Sequence, residues 1–309
     1  MVGSINLDIV AQSERLPLPG ETVFGKQLGY FPGGKGANQA IAACRGGAET
    51  LMVGCIGGDE AAGVLSKFLR ENGVNVTHVR AEIAEASGSG LIIVDPQGEN
   101  QIVVVPGAND CVRRADITGV DVRQGDVLVC QFEIPMDTVI EALKLAQSRG
   151  AVTILNPAPA RDASADVFSL ADIIVLNQTE LSFLIGATVD NPSNKNLAQA
   201  LEKIDGLRSD GAVIVTAGER GGFVRLNGET FSYLGRRVPA LDTTAAGDCF
   251  VGSLAACLVT AGPALDRAVD YANVAASICI QRPGAGPSMP TRAEVLDALK
   301  KHVGDFVRA

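Results

Sequence analysis

Leu51-Met52-Val53-Gly54-Cys55-Ile56-Gly57-Gly58-Asp59-Glu60-Ala61-Ala62-Gly63-Val64-Leu65-Ser66-Lys67-Phe68-Leu69-Arg70-Glu71-Asn72-Gly73 decides the architecture. Leu51–Ile56 is an unbroken apolar run, the mark of a strand buried on both faces. From Glu60 to Asn72 apolar residues return at helical spacing, with Asp59 placed to cap the start and Gly73 to stop the helix. The same alternation recurs downstream. Val127–Cys130 reads as a strand and Met136–Arg149 as a helix ending at Gly150; Val152–Leu155 and Ile173–Leu176 are short β-branched runs. Asn196–Leu207 reads as a helix and Ala212–Thr216 as a strand. Three helices close the chain, near Ala246–Ala261, Ala264–Gln281 and Arg292–Val303, the last opened by the capping box of Thr291 and Glu294. Continuous apolar strands alternating with helices predict an α/β fold: a Rossmann-like, three-layer α/β/α arrangement around a mostly parallel sheet.

Two stretches break this rhythm. Ile9–Tyr30 holds the turn-rich segment Pro17-Leu18-Pro19-Gly20-Glu21-Thr22, and Leu91–Val105 shows two β-type runs around Pro96-Gln97-Gly98-Glu99. Each is too short to be a domain. They predict a small accessory sheet from two insertions, about 9–30 and 88–107, acting as a lid on a single domain spanning residues 1–309.

Composition narrows the function. The chain has 309 residues, 47% hydrophobic and 20% charged, enough apolar material for a large core. Its formal charge of −9, from 26 Lys+Arg against 35 Asp+Glu, argues against nucleic acid or an anionic membrane as partner. Two distant histidines, His78 and His302, disfavour a His-centred triad or His-rich metal site. The cysteines (Cys44, Cys55, Cys111, Cys130, Cys249, Cys257, Cys279) are dispersed, odd in number and without CxxC, as expected of reduced thiols in the cytoplasm. The first residues resemble no signal peptide, and no run approaches the ~18 apolar residues of a membrane helix.

Gly29-Tyr30-Phe31-Pro32-Gly33-Gly34-Lys35-Gly36 nearly fits the P-loop GxxxxGK[ST]. Gly36 stands where the Mg²⁺-binding hydroxyl is required, and Tyr30, Phe31 and Pro32 make a poor buried strand. The P-loop reading fails. A glycine-rich turn leading into a helix remains, read either as packing or as a close backbone approach to a polar ligand beside Lys35 and Asn38.

The richest chemistry lies in Asp242-Thr243-Thr244-Ala245-Ala246-Gly247-Asp248, between a strand-like segment and an apolar helix. Small residues at a helix start let a ligand approach the backbone. The N–H groups of Ala246, Gly247 and Asp248, with the helix dipole, would form an anion hole. A carboxylate at its mouth suits a general base that takes a hydroxyl proton while the hole holds a phosphoryl group. Helix logic alone reads Asp248 equally well as an N-cap.

This segment resembles the C-terminal signature of the ribokinase/phosphofructokinase-B carbohydrate kinase family, and Gly33-Gly34-Lys35-Gly36-Ala37-Asn38-Gln39-Ala40 resembles its N-terminal signature. Gly3–Asp8, Pro19–Thr22, Asn156–Ala160, Asn177–Glu180 and Gly284–Ser288 look like the ribose-phosphorylating members. The resemblance implies a ribokinase-like fold and ATP-dependent transfer to O5 of D-ribose. It implies that Asn6, Asp8, Gly34, Lys35, Asn38, Glu133 and Asp248 bind the sugar. Asp248 would be the base, with Ala246 and Gly247 completing the anion hole. Asn177, Glu180, Thr216, Gly218, Gly221, Gly247 and Asn273 would serve ATP and its Mg²⁺. Asp242, Thr244, Cys279, Arg282, Gly284 and Ser288 would hold a monovalent cation such as K⁺, and the lid would join two copies into a homodimer. Glu133, Asn177 and Thr216 also fall just after strands, where open α/β sheets bind ligands. Alone, Glu180 passes for an ordinary helix-start acid.

Two departures stand out. The chain opens at Met1-Val2-Gly3, leaving a short first strand before the motif, and Cys249 stands where threonine is common, which suggests sensitivity to oxidation. Rival readings are a kinase of deoxyribose, fructose or a nucleoside, and a non-catalytic sugar-binding protein on the same scaffold. The latter should have lost Asp248 or the small residues before it. A nicotinamide oxidoreductase is disfavoured, because no GxGxxG follows an early strand.

Overall fold

In the computed structural model, residues 1–189, 194–301 and 306–307 are described. The continuous apolar runs become inner strands. Val127–Gln131, Val152–Asn156, Ile173–Asn177 and Ala212–Thr216 lie side by side, all parallel. On the other flank Leu51–Gly57 pairs in parallel with Asn75–Glu82. Val2 bridges the two groups, parallel to both Val53 and Cys130. Its N–H donates to Val129 O (2.9 Å), and Gly3 N–H donates to Val53 O (3.1 Å). The short first strand is therefore held from both sides in the middle of the sheet.

The outer edge beyond Ala212–Thr216 is antiparallel: Gly222–Leu226, Glu229–Tyr233 and Phe306–Val307. The first two are joined by Asn227-Gly228, both at positive φ (51° and 83°). Asn-Gly is the dipeptide that such a two-residue hairpin favours. Asn75–Glu82 and this hairpin were not read from the sequence. Asn75–Glu82 is only partly buried, so its apolar signal is diluted.

Helices cover both faces, and two buried clusters separate them. One underlies Lys35–Arg45, Ala246–Ala261 and Leu265–Cys279; the other underlies Met136–Ser148 and its neighbours. This is the three-layer α/β/α arrangement. Two helix boundaries need correction. The helix expected over Asn196–Leu207 runs from Asn194 to Leu201. The chain then turns through Gly206 at φ 83°, where a Cβ would lie 2.1 Å from Ala165 O. The last helix is Arg292–Lys300, and the expected extension to Val303 lies, like His302, outside the described residues.

A second sheet has the strand order Gly25–Gly33, Asn6–Ser13, Gly88–Val94, Asn100–Val105. Asn6–Ser13 pairs antiparallel with the first and parallel with the third. The sheet takes in residue 6 because the chain leaves the main sheet at Val2 and runs directly into the accessory one. That continuity places Asn6 and Asp8 at the junction between the two sheets.

Candidate active site

The helix Ala246–Ala261 starts beyond Ala245, which sits at φ 58° and ψ 15°, a left-handed conformation unfavourable for a residue with a Cβ. Asp248 is in the third helical position, not at the cap, so the N-cap reading does not hold. Gly247 and Asp248 carry N–H groups of the kind a helix start leaves without an intrahelical acceptor. Ala246 differs from expectation: its N–H makes a long bond, 3.3 Å, to Thr243 O.

The Asp248 carboxylate is buried and held at each oxygen. Asn38 Nδ2 donates to Oδ2 (3.0 Å) and Gln39 Nε2 to Oδ1 (2.9 Å). Burial pushes its pKa up; Lys35 and the two amides work against that rise. Lys35 is half-buried. Desolvation favours loss of its proton, but Asp248, Glu133 and Glu180 together outweigh this and hold the ammonium charged. The buried Oδ1 of Asn38 has no partner among the described residues, so an acceptor is left for a ligand hydroxyl.

Lys35, Asn177, Glu180, Thr216, Asp248 and the Ala245–Gly247 turn line one cavity of about 200 Å³, with Asn156 and Thr243 also in its wall. Residues from three strand ends and three helix starts thus meet at the carboxyl edge of the parallel sheet, 213 positions separating Lys35 from Asp248 (248 − 35). The remaining expected sugar residues do not line this cavity, though Asn38, Glu133 and Asp8 are tied by hydrogen bond or charge to Asp248 and Lys35, which do. Asp8 is raised to about 6 by burial, then by Glu133 and Asp248, against a Gly90 N–H bond. Asn6 Oδ1 accepts from Asn109 Nδ2 (2.7 Å). Glu133 Oε2 accepts from Ser4 Oγ and from the Lys35 N–H (3.1 Å), so this carboxylate also caps the helix Lys35–Arg45.

The glycine-rich turn has a packing cause. A Cβ on Gly33 would lie 2.3 Å from Asp8 Oδ2, one on Gly34 2.8 Å from the Asn6 N, and one on Gly36 2.6 Å from the Ser4 N. The close approach is to the first strand.

On the nucleotide side, Asn177 and Glu180 form a reciprocal capping box, each side chain accepting the other's N–H at 2.8 Å. The innocent reading of Glu180 as a helix-start acid is therefore also satisfied, yet the residue faces the cavity and burial raises its pKa. Gly218 and Gly221 lie beyond the cavity wall, at φ 59° and 88° in a tight turn. Asn273 Nδ2 is engaged by Leu234 O (2.8 Å), outside the cavity.

The expected cation residues converge. Asp242 accepts from the N–H groups of Thr244 (2.9 Å) and Gly284 (2.8 Å), tying the two loops together. Cys279 Sγ lies 3.0 Å from Ser288 Oγ, which donates to Ala285 O. Arg282 points elsewhere, pairing with Glu294. Cys249 is fully buried and its thiol is pushed well up by desolvation, so the expected oxidation sensitivity has no exposed thiolate behind it. Four polar residues around the site, Ser4, Asn109, Gln131 and Asn156, receive no role from the sequence, although Ser4 and Asn156 fall within the quoted motifs. Each is a polar residue in a strand-end or loop position whose partner is far away in sequence.

Residues 1–292 match the pfkB family carbohydrate kinase pattern. A bifunctional ribokinase/ribose-5-phosphate isomerase A of Fructilactobacillus sanfranciscensis is 38% identical over 304 residues, 97% of this chain and 56% of that longer protein. A ribokinase of Haemophilus influenzae is 35% identical, with 97% of each chain covered. The solved structure of an Arabidopsis thaliana ribokinase complexed with ribose and ATP superposes with a TM-score of 0.85 at 31% identity, over 97% of each chain. The chain belongs to the pfkB family of carbohydrate kinases.

Proposed function

We propose that this carbohydrate kinase transfers the γ-phosphoryl group of ATP to the 5-hydroxyl of D-ribose, with Asp248 as the base. The observation that carries this reading is the meeting of a buried carboxylate, a charged lysine and unpaired helix-start N–H groups in one cavity. The N–H groups of Gly247 and Asp248 stabilise charge on the migrating group. The raised proton affinity of Asp248 suits it to take the hydroxyl proton as that group arrives. Asp8 and Asn38 offer acceptors to sugar hydroxyls. Only one cation, Lys35, stands among the sugar residues, which favours a neutral sugar over a sugar phosphate.

ATP takes the side of Asn177, Glu180 and Thr216, with Gly218 and Gly221 in the adjoining loop and Asn273 toward the adenine. Oxygen donors at Asn177 and Glu180 fit the water shell of a hard divalent ion, and Mg²⁺ held there would supply charge neutralisation to the phosphates. Asp242 brings a single negative charge to a loop rich in carbonyls, which fits a monovalent cation such as K⁺ and orders the turn that leads to Asp248. The accessory sheet closes over the sugar and excludes water. It also pairs two copies, and the seven free thiols among the described residues suit a reducing cytoplasm.

Asp248→Asn keeps the sugar site and loses turnover by about three orders of magnitude or more, in line with removal of a general base. A coupled ADP-release assay over ribose, deoxyribose and fructose reads both rate and substrate. A near-normal rate in that variant removes the base assignment, and a preference for another sugar replaces ribose.

A further inference from the structure

Gln39 is wholly buried and does not itself line the cavity, yet it donates to Asp248, which does. Its amide is not free to turn. Asn156 Nδ2 is anchored on Val175 O (2.8 Å), so Asn156 presents its oxygen, Oδ1, to Gln39 Nε2 at 3.0 Å. Gln131 Nε2 donates to Gln39 Oε1 (2.6 Å). The polarity of the chain is set at a backbone carbonyl and passed along three buried amides. A flipped Gln39 would turn its oxygen toward two acceptors, Asp248 Oδ1 and Asn156 Oδ1.

We propose that Gln39 is a positioning residue for the base: locked by Gln131 and Asn156, its amide fixes Asp248 Oδ1 and turns Oδ2, shared with Asn38, toward the acceptor hydroxyl. The proposal rests on Asp248 acting as the base. Two amide donors to a carboxylate hold its rotamer and favour its charged form, so the base stays ionised in a buried site. The charged groups acting on Asp248 are Lys35, which favours ionisation, and Glu133, which opposes it; the charge of Asp248 in turn acts to raise the carboxyls of Asp8 and Glu180 and the nearby thiols of Cys249 and Cys279.

The test is the pH profile of kcat/KM for ribose in Gln39→Met, which keeps the length and removes the donors. Loss of one hydrogen bond to a charged group moves the acid limb upward by about one pH unit and lowers kcat ~10-fold or more, with the ribose KM little changed. Gln131→Met, one link further out, moves the limb in the same direction by less. If Gln39→Met shows no folding transition, Gln131→Met decides by the same two readouts. An unmoved acid limb with unchanged kcat, or a raised KM at constant kcat, overturns the proposal. Asp248→Asn separates the two failures. If it stays active, the base reading falls; if it is inactive while the profiles do not shift, only the positioning role falls.

Discussion

At the residue scale, Asp8 shows what the site exacts from stability. Its carboxylate lies among Glu133, Asp248 and the lid backbone, and its pKa of about 6 stands above the ordinary 3.8. A carboxyl raised on folding contributes most at low pH and loses that contribution as pH climbs from about 4 through 6. Above that window the ionised group opposes folding by up to about 3 kcal/mol. Asp8→Asn should therefore raise the thermal midpoint at pH 8 by several degrees, and by much less at pH 4.5, while weakening ribose binding. Paired melts at the two pH values check the sign; an equal gain at both would mean that the carboxylate is not the source. Glu180 and Asp248 follow the same logic, since burial raises both.

At the element scale, the site depends on how closely the helices Lys35–Arg45 and Ala246–Ala261 approach. Gly252 makes that approach possible: a Cβ there would lie 2.3 Å from Gln39 O and 2.6 Å from Ala42 Cβ. One helix carries Lys35, Asn38 and Gln39 and the other carries Asp248, so their spacing sets the carboxylate–amide bonds. Gly252→Ala should cost about 1–3 kcal/mol through overpacking. It should lower kcat as well, because Gln39 is the backbone that must retreat. Urea denaturation and steady-state kinetics on the same variant read the two effects; an unchanged midpoint would show that the helices separate freely.

At the scale of the whole molecule, the accessory sheet stands out from the main body with two free edges. Its outer strand Asn100–Val105 is exposed throughout, including Ile102, Val103, Val104 and Val105. Phe24, beside the other outer strand, is 95% exposed. An apolar strand with one edge unpaired is a pairing surface that isolated proteins normally guard with charge or cover. Pairing two copies through it would bury the patch. Size-exclusion chromatography with light scattering should give a dimer at micromolar concentration, and Val103→Glu should shift it to monomer. A monomeric parent chain would count against pairing through this sheet.

Local order was legible in the chain because it is written in short-range patterns. The run Leu51–Ile56, the Asp59 cap, the Thr291–Glu294 box and the small residues before Asp248 each act over a few positions, where hydrophobic period and capping chemistry decide the outcome. The pairing that makes the site was not written there. Gln39 and Asp248 lie 209 positions apart and meet only when two helices pack against the same sheet face. The glycines at 33, 34 and 36 were open to a packing or a ligand reading, and only the folded chain shows how closely they approach Ser4, Asn6 and Asp8. Burial completes the difference: a carboxylate's proton affinity depends on the water and charge around it, and these exist only once the layers have closed.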